Sequence, residues 1–95
     1  MKEVKVGLIK GRHEMPVESY IFDVIENVLD FDAIHNGVVS FMKKNIDSDV
    51  RLVVYVTGLT SVTAEVIKVC ALNQVKLTLM HYDRESGNYL PQVIF

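Results

Sequence analysis

Residues 51–74 read RLVVYVTGLTSVTAEVIKVCALNQ, and this stretch decides the fold. The β-branched and aromatic run at residues 52–56 is typical of a buried strand, and the apolar spacing from Val62 onward predicts a helix. Between them lies a hydroxyl-rich turn at residues 57–61. In open α/β sheets such a turn lies at the carboxyl edge, where ligands bind and the helix N–H groups favour an anion. The stretch therefore predicts a fold class and the position of a site.

The flanking sequence continues the alternation of strands and helices. A strand is expected at residues 4–9, and a β-hairpin at residues 75–82 and 89–95, where Pro91 indicates an edge strand. Two amphipathic helices are expected between the first strand and the central one. The first would follow Pro16 and bury Ile21, Val24, Ile25, Val28 and Leu29. The second, or a kinked continuation, would follow the capping residues Asp30 and Asp32 and bury Phe31, Ile34, Val38, Phe41 and Met42.

This alternation predicts one α/β domain spanning residues 1–95. We expect a small Rossmann-like domain of two or three layers, whose mostly parallel sheet has about four strands and ends in a C-terminal antiparallel edge hairpin. The sequence leaves open whether the first and central strands are neighbours. The loops after residues 9, 56 and 82 should share one edge of the sheet.

Composition excludes several function classes. The chain has 95 residues, 49% hydrophobic residues and a formal charge of −2, and it contains no run of Lys or Arg, which argues against binding duplex nucleic acid. Its single cysteine, Cys70, has no partner at disulfide or metal-ligand spacing. Neither GxxxxGK[ST] nor GxGxxG is present, so no cofactor is expected. With no signal-peptide pattern and no long apolar stretch, a cytoplasmic protein without a membrane partner is expected.

The candidate ligand-binding residues follow the central strand and the third strand. The hydroxyls of the central turn could hold a phosphate. Alternatively the turn is only structural, with either Ser61 or Thr60 as the helix N-cap and Gly58 making the turn. His81 closes the third strand at the same edge, where it contacts ligand or merely fills a half-buried position. Asp83 and Arg84 are expected to shape the hairpin turn.

The loop at residues 10–14 is the most charged loop and should lie at the same edge. There Arg12 could clamp a phosphate and His13 could transfer protons, or the loop could be a solvated surface segment. The predicted ligand-binding residues are Lys10, Arg12, Thr57, Gly58, Thr60, Ser61, Thr63 and His81. The predicted catalytic residues are His13 and Arg12, and no metal ligands are predicted.

The second half of the chain resembles a known family. The segments VVYVTGLT (53–60), LMHYD (79–83) and GNYLP (87–91) are similar to the CRISPR-associated Rossmann-fold (CARF) sensor domains, in which a strand ends in a Thr-Gly-Gly-Thr type turn. That family binds cyclic oligoadenylates as symmetric dimers, and some members cleave them as ring nucleases. The resemblance implies that Thr57, Gly58 and Thr60 form the ligand-binding turn. Leu59 occupies the position of the second glycine in the family's turn, and the lysine that usually follows that turn is absent from this sequence.

Two functions from different classes fit these features. The first is a homodimer that binds a phosphate-bearing nucleotide, such as a cyclic oligonucleotide, at the carboxyl edge of the sheet. A dimer is expected because so small a sheet leaves faces and edges uncovered. Whether the protein is an enzyme stays open; if it is, metal-independent phosphodiester cleavage is the expected reaction. The alternative is a non-enzymatic protein–protein interaction module from a phage, plasmid or defence locus.

Overall fold

The computed structural model describes residues 1–11 and 14–95. Within these residues the chain forms five strands and two helices. In chain order they are β1 (Lys2–Ile9), β2 (Tyr20–Phe22), α1 (Phe31–Asn45), β3 (Val50–Tyr55), α2 (Thr60–Leu72), β4 (Lys76–Asp83) and β5 (Asn88–Val93). Neither helix has the length and apolar character needed to cross a lipid bilayer.

The described strands form one sheet in the order β2-β1-β3-β4-β5. The first four are parallel, and β5 pairs antiparallel with β4 at the edge. This confirms the predicted mostly parallel α/β sheet with its antiparallel C-terminal hairpin, and it places Pro91 on an edge strand as expected. β1 and β3 are direct neighbours, with Val6 opposite Val54. Their adjacency resolves the strand order that the sequence left open.

Both helices pack on the same face of the sheet, so these elements form two layers. One core contains alternate residues of the strands, such as Leu8 and Leu52, together with Val38 of α1 and Val66 of α2. α1 connects β2 to β3 and α2 connects β3 to β4, so both connections cross the sheet in the same direction. Right-handed crossovers that run in the same direction lie on the same face of a sheet. The β1–β2 connection moves the other way, and Met15 accordingly lies over Gly7 on the opposite face.

The predicted helix after Pro16 is wrong. Tyr20–Phe22 forms β2 instead, and Tyr20 pairs with Gly7 of β1. Aromatic and β-branched side chains suit a strand, and pairing with β1 outweighs the helical spacing of the apolar residues. Two members of the supposed core stripe, Val24 and Leu29, are 72% and 69% exposed. β2 is therefore the strand that raises the count from about four to five.

The second and third predicted helices are confirmed, except that Phe31, expected in the buried stripe of the second, is 53% exposed at the start of α1. α1 begins where expected, because Asp30 Oδ1 accepts a hydrogen bond from the Ala33 backbone N–H at 3.2 Å. α2 buries the predicted stripe completely, and its members are Val62, Val66, Val69 and Cys70. Since α2 follows β3 directly, this packing determines where the turn between them lies.

Candidate functional site

A pocket of about 250 Å³ lies at the carboxyl edge of the sheet, where β3 and β4 end. Its lining comprises Val56, Thr57, Gly58, His81, Tyr82 and Arg84. The two strand ends are held together by a hydrogen bond from the Val56 N–H to the Met80 carbonyl, at 3.1 Å. We call this concavity the edge pocket. It brings His81, near the end of β4, beside Thr57 and Gly58 of the turn after β3.

The electrostatics of the edge pocket favour an anion. Its lining has no acidic side chain and includes the exposed cation Arg84. α2 begins directly after the Thr57–Gly58 turn, its first turn has no acidic residue, and its N-cap Leu59 provides no side-chain hydrogen bond. The first N–H groups of α2 therefore lack a described side-chain acceptor, and the positive end of its dipole is not compensated locally.

Thr57 has a buried hydroxyl without a protein partner. Thr57 Oγ1 is shielded from solvent and makes no hydrogen bond with any described residue. Buried polar atoms in folded proteins are nearly always paired, so each exception calls for an explanation. Thr57 lines the edge pocket, so a shift of the turn would bring this hydroxyl into contact with a ligand.

Gly58 is not required by the turn, which corrects the structural interpretation of this glycine. Positive backbone φ among the described glycines occurs at Gly11 and Gly87, and not at Gly58. A Cβ added at Gly58 would meet no atom within 4 Å. The missing side chain leaves the backbone beside the pocket open to close approach, which is one of the uses of glycine at ligand sites.

The other predicted hydroxyls lie outside the pocket lining. Neither Thr60 nor Ser61 is the N-cap, because that position belongs to Leu59. Ser61 Oγ donates to the Val28 carbonyl at 2.7 Å, and Thr63 Oγ1 donates to the Leu59 carbonyl at 3.2 Å. These bonds connect α2 to the preceding segments and use the hydroxyl hydrogens of Ser61 and Thr63. Thr60 is exposed at the start of the helix.

The predicted loop after β1 is described only in part. Lys10 is exposed, does not line the edge pocket, and donates its backbone N–H to the Phe22 carbonyl at 2.9 Å. Arg12 and His13, the predicted catalytic residues, lie outside the described residues. Because β1 is the neighbour of β3, this loop starts at the same edge as the pocket.

The third-strand residues divide between the pocket and the hairpin. His81 Nε2 lies 2.7 Å from Gln92 Oε1 on β5, so this ring atom is already engaged. The Asp83 carboxylate shapes the turn as predicted: it accepts the Glu85 N–H at 3.2 Å, and a hydrogen bond with the Ser86 side chain lowers its pKa. Arg84 is the first residue of the hairpin turn, as predicted, and it also lines the pocket. Its position directly after β4 was the sequence signal for that role.

An aromatic cluster borders the same edge. The Tyr82 and Tyr89 rings meet edge to face with centroids 5.4 Å apart, and Tyr55 approaches Tyr89 at 4.9 Å. Partial burial raises the pKa of Tyr89. Tyr82 remains 54% exposed beside Arg84, so an aromatic face and a cation adjoin the pocket.

The edge pocket combines one cation, a buried hydroxyl and the start of a helix. Among residues 1–11 and 14–95, no group of three or more His, Cys, Asp or Glu side chains is arranged to hold a metal ion. Comparisons with protein-family models, with curated proteins and with solved structures find no match for this chain. The geometry of the edge pocket is therefore the basis for assigning a function.

Proposed function

We propose that this protein binds a phosphate-bearing nucleotide in the edge pocket and acts as a cytoplasmic homodimer. One observation carries the proposal: three independent contributions to anion binding converge there. They are the Arg84 guanidinium, the unpartnered Thr57 hydroxyl and the start of α2 without an acidic residue. A guanidinium forms strong, often bidentate hydrogen bonds with phosphate, and helix N-termini are recurrent phosphate sites.

In this proposal a phosphate lies against the Thr57–Gly58 turn. Thr57 Oγ1 and the N–H groups at the start of α2 donate to its oxygens, while Arg84 neutralises its charge. Tyr82 offers an aromatic face of the kind on which nucleobases stack. The volume of about 250 Å³ suits part of a nucleotide. A cyclic oligonucleotide repeats its phosphates, so the two pockets of a dimer would bind such a ligand together.

Phosphodiester cleavage would be a second step at this site. An attacking hydroxyl would bond to phosphorus as His13 takes its proton, and the P–O bond to the leaving oxygen would break as that oxygen takes up a proton. Arg12 would stabilise the charge that develops on the phosphate. Both residues belong to the loop after β1, which starts beside the turn that ends β3. Arg12, which is also a predicted phosphate contact, would act in binding and in cleavage, whereas His13 would act in cleavage alone.

The test is a thermal-shift screen against mono-, di- and cyclic nucleotides, followed by chromatography of each mixture. A ligand that binds the folded state raises the melting temperature with concentration, and cleavage appears as products. Arg84→Gln should weaken binding about 10- to 100-fold, since a hydrogen bond to a charged group contributes roughly 1.5–3 kcal/mol. The control is Lys44→Gln, which removes an exposed cation from the last turn of α1. Equal losses in both variants would mean nonspecific charge attraction, and no shift with any nucleotide would refute the proposal.

A separate surface favours the alternative, a protein–protein interaction module. The segment between β2 and α1 exposes large apolar side chains beside a groove of about 270 Å³. They are Val24, Val28, Leu29 and Phe31. Contiguous exposed apolar patches mark interaction sites. If this module is the function, Leu29→Asp will abolish binding of its protein partner while Arg84→Gln leaves that binding intact.

A further inference from the structure

A groove of about 270 Å³ lies between the end of β2 and the start of α1. Its apolar lining includes Phe22, Val24 and Ile25, and its polar lining includes the carboxyl groups of Glu26 and Asp30. We call this concavity the acidic groove. We propose that the acidic groove binds a basic amphipathic helix of a partner protein. This proposal rests on the alternative function, the interaction module, and it is independent of nucleotide binding.

Exposed apolar side chains are concentrated around the acidic groove. Of the ten large apolar residues that are exposed in the described chain, four lie within residues 24–31. One of them, Val24, lines the groove itself and is 72% exposed. Apolar residues exposed singly need no explanation, whereas a contiguous apolar patch marks an interaction site. A partner that covers this surface must therefore present apolar side chains to it.

Hydrogen bonds hold the segment that carries these side chains. The Val28 carbonyl accepts the Ser61 hydroxyl of α2 at 2.7 Å. The Asn27 side chain accepts the Leu29 N–H at 2.9 Å, and its carbonyl accepts the Asp30 N–H at 3.1 Å. A segment that is already ordered loses little conformational entropy when a partner binds. The exposed apolar side chains therefore form a surface that is ready for binding.

The charge around the acidic groove defines the chemistry of the partner. Residues 14–42 contain six Asp or Glu and no Lys or Arg, although the whole chain has 12 acidic and 10 basic residues. Four of the six acids lie within residues 23–32, and all four are exposed. None of the four forms an ion pair with another described residue. Lys or Arg side chains of a partner would supply the opposite charge, and an acidic partner would be repelled.

These features select a helix with a basic margin over other occupants. A second copy would bring the same acidic surface against itself, and an anionic membrane surface would be repelled. The edge strand β2 has only three residues, which is too short to pair with an added strand. A helix with apolar residues at i, i+3, i+4 and i+7 places one stripe in a groove. Lys and Arg beside that stripe reach the acids, while their aliphatic stems cover apolar surface.

The experiment measures the fluorescence anisotropy of three labelled model peptides of about 18 residues, roughly five helical turns. The peptides share one leucine stripe, and the positions that flank it are all Lys, all Gln or all Glu. The Lys peptide should bind about tenfold more tightly than the Gln peptide, because several exposed ion pairs each contribute about two- to fivefold. The Glu peptide should bind least. Added salt should reduce the difference between the Lys and Gln peptides.

Two pairs of variants locate the binding surface. Val24→Ser should weaken binding of the Lys peptide about tenfold, because a buried valine contributes about that much. The matched control is Val93→Ser, which changes a valine of similar exposure on β5, the edge strand farthest from β2, and it should have no effect. Glu26→Gln should weaken binding about two- to fivefold. Glu85→Gln removes an exposed acid from the β4–β5 turn and should leave binding unchanged.

The outcomes separate the basic partner from the interaction module. Equal binding of the Lys and Glu peptides would overturn the basic partner and leave the module in place. No saturable binding of any peptide, or equal losses in Val24→Ser and Val93→Ser, would overturn both. A dimer in sedimentation equilibrium that Val24→Ser abolishes and Val93→Ser does not would assign the groove to a second copy instead. Because no nucleotide is present, failure of nucleotide binding leaves this test unaffected.

Discussion

Replacing Thr57 with valine should change stability and ligand binding in opposite directions. Thr57 Oγ1 is buried at the wall of the edge pocket and has no hydrogen-bond partner among the described residues. In the unfolded chain the same hydroxyl bonds to water. Valine has nearly the shape of threonine and carries a methyl group instead of the hydroxyl. The substitution therefore removes a desolvation penalty from the folded state and also removes a proposed phosphate donor.

The magnitudes follow from the energetics of unsatisfied polar groups. Leaving a buried polar group unpaired costs about 1–3 kcal/mol. Thr57 as a whole is only half-buried, so the low end applies, and Thr57→Val should raise the free energy of unfolding by about 1 kcal/mol. In a domain of this size that corresponds to an increase in melting temperature of roughly 4–8 °C. Loss of a hydrogen bond to a charged phosphate should weaken binding about 10- to 100-fold.

Urea unfolding followed by circular dichroism measures the stability change, and isothermal titration calorimetry with the nucleotide from the screen measures binding. Thr63→Val is the control, because the Thr63 hydroxyl is bonded to the Leu59 carbonyl and its loss should lower the free energy of unfolding by about 0.5–1.5 kcal/mol. If Thr57→Val destabilises the protein as Thr63→Val does, the Thr57 hydroxyl is satisfied in the free protein and the reasoning is refuted. A stabilised variant with unchanged affinity would remove Thr57 from the site.

Three further predictions concern packing and titration. Gly7→Ala should lower the free energy of unfolding by about 1–3 kcal/mol in urea, because its Cβ would lie 2.5 Å from Tyr20 Cδ1, whereas Gly58→Ala meets no atom and should be neutral. Burial raises the pKa of Cys70 to about 11, above the 9.0 of an exposed thiol, so iodoacetamide at pH 8 should label it only in urea. The stability gained by burying the neutral thiol is fully present below pH 9.0 and is lost as the pH rises to about 11. Cys70→Ala should reduce this loss of stability at high pH. The hydrogen bond from Ser86 lowers the pKa of Asp83. The stabilisation of the folded state by the ionised Asp83 carboxylate is therefore present above pH 3.8 and is lost as the pH falls through the folded-state pKa. An NMR titration of Ser86→Ala should find that pKa raised, and an unchanged value would show that the bond is absent.

The sequence predicted the parts of the fold that depend on local pattern. The stripe of α2, the Asp30 cap of α1 and the C-terminal hairpin are each encoded within about fifteen residues, and each is present. The position of Thr57 and Gly58 at the carboxyl edge was predicted in the same way, since they follow a strand that a single segment identifies. For Tyr82 and Arg84, which also line the pocket, the sequence predicted the edge of the sheet but not the pocket. A hairpin turn and a pocket wall have the same local sequence pattern.

Tertiary structure decided what depends on partners distant in sequence. Residues 20–22 have both helical spacing and strand-forming side chains, and pairing with β1 selects the strand. The order of the strands places both helices on one face, although no single segment encodes a layer. Hydrophobic periodicity indicates on which face of a helix or strand a residue lies. Whether that residue is buried depends on another element that covers the face. By itself the sequence therefore determined an α/β chain with a turn at a helix start, and the packing of that chain decided which side chains meet there.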